Sequence, residues 1–113
     1  MEMDIKQVGT CTVARVMAES IDYTVCDAFK QMALAEVENK EKPCLILNLE
    51  KVTFMDSMTI GALVTLKKTI TQQGGKFGLC ALHPYVVQIV RVVTLNTIFN
   101  IYETEEQALA DLR

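Results

Sequence analysis

The sequence predicts an α/β protein: one domain over residues 1–113, with a four- to five-stranded mixed sheet, parallel at its centre, and about four helices. Three observations carry this reading. Short apolar runs alternate along the chain with segments whose apolar residues recur at helical spacing. The connections between them are short, and no internal repeat or linker divides the chain. One run, CLILNL from Cys44 to Leu49, is apolar nearly throughout, as a strand covered on both faces would be, and so belongs at the centre.

In chain order, the first strand is residues 11–17 (CTVARVM), with strand directions near the amino terminus left open. Val25, Phe29, Met32, Ala33 and Val37 then fall on one face of a helix of roughly four turns, with Asp27, Lys30, Gln31 and Glu38 elsewhere on the wheel. Met17 and Met32 sit on apolar faces and read as core. The central strand follows. From Ser57 a second helix carries Ile60, Leu63, Val64, Leu66 and Ile70. Gly74-Gly75 ends it, because glycine accepts the left-handed conformation that closes a helix. A strand at about Phe77 to Leu82 comes next. Pro84 opens a third helix, with Val86, Ile89, Val90 and Val93 on one face, since proline suits a first turn whose N–H has no helical partner. A short strand, about Ile98 to Tyr102, leads to the closing helix, where Thr104 and Gln107 have the spacing of a capping box.

Composition narrows the function. A chain of 113 residues buries about two-thirds of its unfolded surface, enough for one core. The net charge is -3 and Lys67-Lys68 is the one basic pair, so no footprint for a nucleic-acid backbone is present. No apolar run approaches the roughly 18 to 20 residues that cross a bilayer, and MEMDIKQVGT lacks the pattern of a signal peptide, so a cytoplasmic protein without membrane insertion is expected. Cys11, Cys26, Cys44 and Cys80 form no C-x-x-C pair, and His83 is the single histidine, so neither a metal nor a disulfide is expected. Cys44 and Cys80 read as reduced thiols buried in strands. No phosphate-binding glycine loop or dinucleotide fingerprint occurs, and no cofactor is expected.

One stretch resists a purely structural reading. FMDSMTIG, Phe54 to Gly61, sets Asp56, Ser57 and Thr59 between two apolar segments, at the carboxyl end of the sheet and the start of the second helix. Open α/β sheets place functional surfaces there. Asp56 or Ser57 as a helix cap is one reading, worth about 1 kcal/mol. A catalytic serine is a second, but it needs a base, His83 lies in a different loop, and there is no glycine elbow. A serine displayed for modification is the third: unpaired N–H groups and the helix dipole favour a phosphoryl group at that position.

The segment LILNLEKVTFMDSMTIGALVTLKKTITQQGGKFGLCAL resembles the core of the STAS domain of bacterial anti-sigma factor antagonists. That pattern runs from an apolar strand through L-x-x-V-x-F-M/I-D-S-S-G-L-G into a helix ending in G-G. Ile21-Asp22 stands where the family has L-D, and YETEEQAL resembles its closing segment, so the likeness spans most of the chain. The chain departs from the pattern in two places. Met58-Thr59 replaces S-G after the acceptor serine, and Glu19 or Ser20 stands in place of the glycine before L-D. Local bulk of this kind changes which partner surface fits.

The resemblance implies a non-enzymatic partner switch. The unmodified protein binds a serine kinase of the histidine-kinase-like fold that is also the anti-sigma factor. Phosphorylation of Ser57 releases the complex, and a metal-dependent serine phosphatase restores it. Asp22, Tyr23, Asp56, Met58 and Thr59 are expected around the docking surface, flanked by Met55, with Thr59 a candidate second acceptor. The alternative within the same family is a STAS subunit of a transporter or signalling scaffold, in which Ser57 only caps its helix.

Overall fold

The computed structural model describes residues 1–93 and 99–113; the side chain of Val93 and the expected start of the last strand at Ile98 lie outside the described residues. The elements follow in the order β1 (Met3–Val8), β2 (Cys11–Val16), β3 (Ser20–Ile21), α1 (Cys26–Ala35), β4 (Cys44–Asn48), β5 (Phe54–Met55), α2 (Ser57–Gln72), β6 (Lys76–Cys80), α3 (Pro84–Val93), β7 (Asn100–Tyr102) and α4 (Glu105–Leu112). A five-stranded sheet has the order β1-β2-β4-β6-β7, parallel except for β1, which is antiparallel to β2. A separate two-stranded sheet pairs β3 with β5. The mixed sheet with a parallel centre and the four helices agree with the sequence reading. Strand β1 and the small β3–β5 sheet were not predicted.

Each crossover from β2 onward steps the same way across the sheet, and right-handed connections then place the intervening helices on one face. Alternation along each strand sorts the side chains accordingly. Leu45, Leu47 and Leu49 pack with Phe29 and Ala33 of α1 and with Ile60, Leu63, Leu66 and Ile70 of α2, and Val86 and Val90 of α3 join the same core. Cys11, Val13, Cys44, Ile46 and Cys80 face the other way, under Ala108 and Leu112 of α4. Gly78 lets α4 lie close, since a Cβ there would stand 2.6 Å from Leu112 Cδ1.

The ends of α2 follow from local chemistry. Gly74 has φ +74°, its N–H donates to Thr71 O at 3.0 Å, and the Gly75 N–H donates to Ile70 O at 2.8 Å. This is a Schellman closure, and it stops α2 where the glycine pair predicts. None of the described helices is long and apolar enough to cross a membrane.

Two expectations are overturned. Cys11 and Cys44 form a disulfide, with Cα atoms 4.5 Å apart, because the parallel register of β2 and β4 sets the two residues opposite each other on one face. The reading of Cys44 as a reduced thiol is therefore corrected. Cys80 remains free and buried, and desolvation pushes its thiol up to about 12, which keeps it protonated. Met17 is also exposed rather than core, since it lies just past the end of β2.

Candidate functional site

Two segments distant in sequence are tied together at the start of α2. Ser20 pairs with Phe54 and Ile21 with Met55. The Thr53 N–H donates to Glu19 O at 2.8 Å, and the Asp56 N–H donates to Ile21 O at 3.4 Å. Alternation in β5 turns Met55 fully into the core and leaves Phe54 exposed. Met55, expected beside the site, is thus a core residue, and Phe54, which sequence reasoning passed over, takes its place on the surface.

Asp56 is the N-cap of α2, with extended backbone and Oδ1 accepting from the Thr59 N–H at 3.0 Å. Thr59 Oγ1 lies 2.7 Å from Ile21 O and 2.9 Å from Asp56 Oδ1, so its single proton is shared between two acceptors. The Thr59 side chain is completely buried. Its assignments to the docking surface and as a second acceptor are both corrected: the hydroxyl is turned inward and clamps the Ile21 carbonyl to the first turn of α2.

With Asp56 serving as cap, Ser57 is released from that role. It is the first residue of α2 and exposed, and its hydroxyl has no hydrogen bond to any described residue. The axis of a 16-residue helix points its positive end there. His83 is exposed in the loop after β6, where its Nδ1 accepts from the Tyr85 N–H at 3.2 Å, and it makes no hydrogen bond to Ser57.

Asp22 follows Ile21 directly, so the β3–β5 pairing carries it alongside Asp56. Its Oδ1 accepts from the Thr24 N–H at 2.9 Å and from the Thr24 hydroxyl, and these bonds hold the carboxyl below the usual carboxylate range. Asp22 is therefore an anion at neutral pH. Tyr23 beside it is 69% exposed and Met58 is 60% exposed, and Phe54 is exposed as well. The Cys26 thiol donates to the Met58 carbonyl at 3.5 Å, joining the start of α1 to the start of α2. The result is an exposed serine among two carboxylates and three solvent-facing apolar side chains. A cleft of about 430 Å³ lies elsewhere, between the carboxyl-terminal ends of α1 and α2, and is lined by Leu34, Val37, Thr69 and Gln73 among others.

The fold of the chain recurs in known proteins. The chain is 27% identical over 100 residues to an anti-sigma F factor antagonist of Paenibacillus polymyxa, covering 88% of this chain and 85% of that protein. Among solved structures, a STAS-domain anti-sigma factor antagonist from Planctomyces limnophilus superposes with a TM-score of 0.86 at 24% identity, covering 96% of this chain and 95% of that one. The phosphorylated form of the Bacillus cell fate determinant SpoIIAA is similar at a TM-score of 0.71 and 18% identity, over 99% of this chain and 100% of that one. The murine anion transporter Slc26a9 contains a similar fold, with a TM-score of 0.81 and 19% identity over 93% of this chain and 18% of the transporter. The model of the STAS domain matches residues 2–108, nearly the whole chain, and with that match the chain belongs to the STAS domain family.

Proposed function

We propose that the protein is an anti-sigma factor antagonist whose docking is controlled at Ser57. In its unphosphorylated form it binds a histidine-kinase-like serine kinase that is also the anti-sigma factor, through Tyr23, Phe54 and Met58 around Ser57, and so releases the kinase's other partner. Phosphorylation of Ser57 by that kinase ends the contact, and a metal-dependent serine phosphatase restores it. The protein itself carries out no catalysis and acts in the cytoplasm, where the kinase has ATP. The single observation that supports this reading is the division of labour at α2: Asp56 caps the helix, and Ser57 is exposed with no hydrogen bond from its hydroxyl among the described residues.

The switch needs no refolding. A phosphoserine brings about -1.5 to -2 charges near neutral pH. On Ser57 these stand at a helix amino terminus, which tolerates them, so the free protein keeps its fold. In the complex the same charge joins Asp22 and Asp56 under a partner that excludes water, where repulsion and desolvation act together. A few kcal/mol of such cost lowers affinity by about a hundredfold or more.

The test is intact mass after incubation with the cognate kinase and ATP. One added phosphate is expected on the wild type and none on Ser57→Ala; no addition, or addition to the variant, overturns the proposal. A STAS subunit of a transporter or scaffold is separated by pull-down: such a protein holds its partner equally as wild type and as Ser57→Asp, whereas the antagonist loses it.

A further inference from the structure

Strand β1 forms an edge of the sheet: β2 pairs with one side of it, and no described strand pairs with the other. In an antiparallel ladder, alternate residues direct their N–H and C=O toward the neighbouring strand, and the residues between direct theirs away. The Met17 N–H donates to Glu2 O at 3.0 Å, and at the far end the turn Gly9-Thr10 brings Val8 opposite Cys11. Glu2, Asp4, Lys6 and Val8 therefore bond to β2. Met3, Ile5 and Gln7 offer their backbone groups to the open side.

We infer that this edge pairs with a second copy of the chain, antiparallel, about a two-fold axis at Ile5, extending the sheet through both subunits. The backbone groups match in this register: Ile5 lies opposite Ile5 of the partner subunit, and Met3 lies opposite the partner subunit's Gln7. The same register sets Asp4 against the partner subunit's Lys6, and Lys6 against the partner subunit's Asp4, on one face of the sheet. Directly opposed opposite charges attract and like charges repel across strands. The neighbouring two-fold registers that still use the outward groups fail on this count. One sets Asp4 against the partner subunit's Asp4, and the other sets Lys6 against the partner subunit's Lys6.

Charged residues on an edge strand commonly deter pairing. Here an acid, an apolar residue and a base stand in the order Asp4, Ile5, Lys6, which is self-complementary only when two copies run antiparallel. Ile5 is 41% exposed in the single chain, and the pairing covers it at the centre of the contact. Lys6 already bonds Glu105 at 2.9 Å, and an ammonium has donors left for a second carboxylate. A contact of one strand pair is small, so the association is reversible and concentration-dependent. None of the bonds described around Ser57 involves β1, so this proposal stands or falls apart from the phosphorylation switch.

Sedimentation equilibrium of the full chain at low salt, from micromolar to millimolar concentration, is the test. The wild type is expected to show a monomer–dimer equilibrium. Asp4→Lys and Lys6→Asp, each alone, raise the dimer dissociation constant by about tenfold or more. An equimolar mixture of these two variants associates like the wild type, because opposite signs again face each other. Ile5→Pro removes an outward N–H that β2 does not use, so it abolishes the dimer while the circular dichroism and melting of the monomer stay unchanged. A wild type that is monomeric over the whole range overturns the inference. So does a dimer that survives Ile5→Pro, or a mixture no more associated than its components.

Discussion

Helices α2 and α4 both start at the carboxyl end of the sheet behind a capping side chain, yet they meet solvent in opposite ways. At α4, Thr104 Oγ1 accepts from the Gln107 N–H at 3.2 Å, and Gln107 Oε1 accepts from the Glu103 N–H at 3.1 Å. Glu105, the first residue of that helix, accepts from Asn48 at 2.7 Å and pairs with Lys6 at 2.9 Å. The dipole there already has a carboxylate of its own, Glu105, held by two partners. At α2 the cap is spent on Asp56, no acidic residue follows in the first turn, and Ser57 and Met58 face outward. A closed helix terminus is a structural joint; an open one leaves room for an anion that arrives later.

The largest expected effect tests the open end. Ser57→Asp lowers affinity for the cognate kinase by about a hundredfold or more, measured by calorimetry, while the melting temperature stays close to that of the wild type. A variant that melts early and binds weakly would instead show that Ser57 is structural. Thr59→Val comes next. It removes the hydroxyl from a buried carbonyl and is expected to cost about 1–3 kcal/mol in denaturant unfolding. Loss of that clamp also loosens Ile21 from α2, so binding weakens together with stability.

Smaller effects measure how alike the two caps are. Asp56→Ala and Thr104→Ala each remove one side-chain cap, and each is expected to cost about 1 kcal/mol. The comparison sharpens if only Asp56→Ala weakens binding, and it breaks if Thr104→Ala does so equally. The smallest effect is electrostatic. The hydrogen bond from Lys6, then that from Asn48, holds the Glu105 carboxyl below its ordinary value. A carboxyl depressed in the folded state stabilises fully above its unfolded pKa and loses that contribution as pH falls through the folded value. Acid titrations of stability are expected to be flatter below about pH 4.5 for Glu105→Gln than for the wild type.

What was legible in the sequence depended on how local the cause was. The end of α2 at Gly74 and the start of α4 at Thr104 follow from residues within one turn of the bond they make. Strand β4 was legible because both of its faces are buried, which leaves an unbroken apolar run. Strand β1 was not. Its residues Asp4 to Gln7 are all exposed, so the run MDIKQV carries no alternation of apolar and polar, and only the turn at Gly9, with φ +62°, marks it as one arm of a hairpin. The candidate site divided in the same way. Asp56, Ser57 and Met58 stand together in sequence, whereas the inward turn of Thr59 depends on the carbonyl of Ile21, 38 residues away.

The sequence by itself determined the alternation of strands and helices, the helix ends and the serine at the start of α2, because each rests on periodicity or on bonds spanning a few residues. Only the tertiary structure decided that Cys11 faces Cys44, that Phe54 is exposed and Met55 buried, and that Thr59 is a clamp. Those outcomes are set by strand register. Shifting a strand by one residue exchanges every inward side chain for an outward one, and nothing within the strand records which neighbour it will meet.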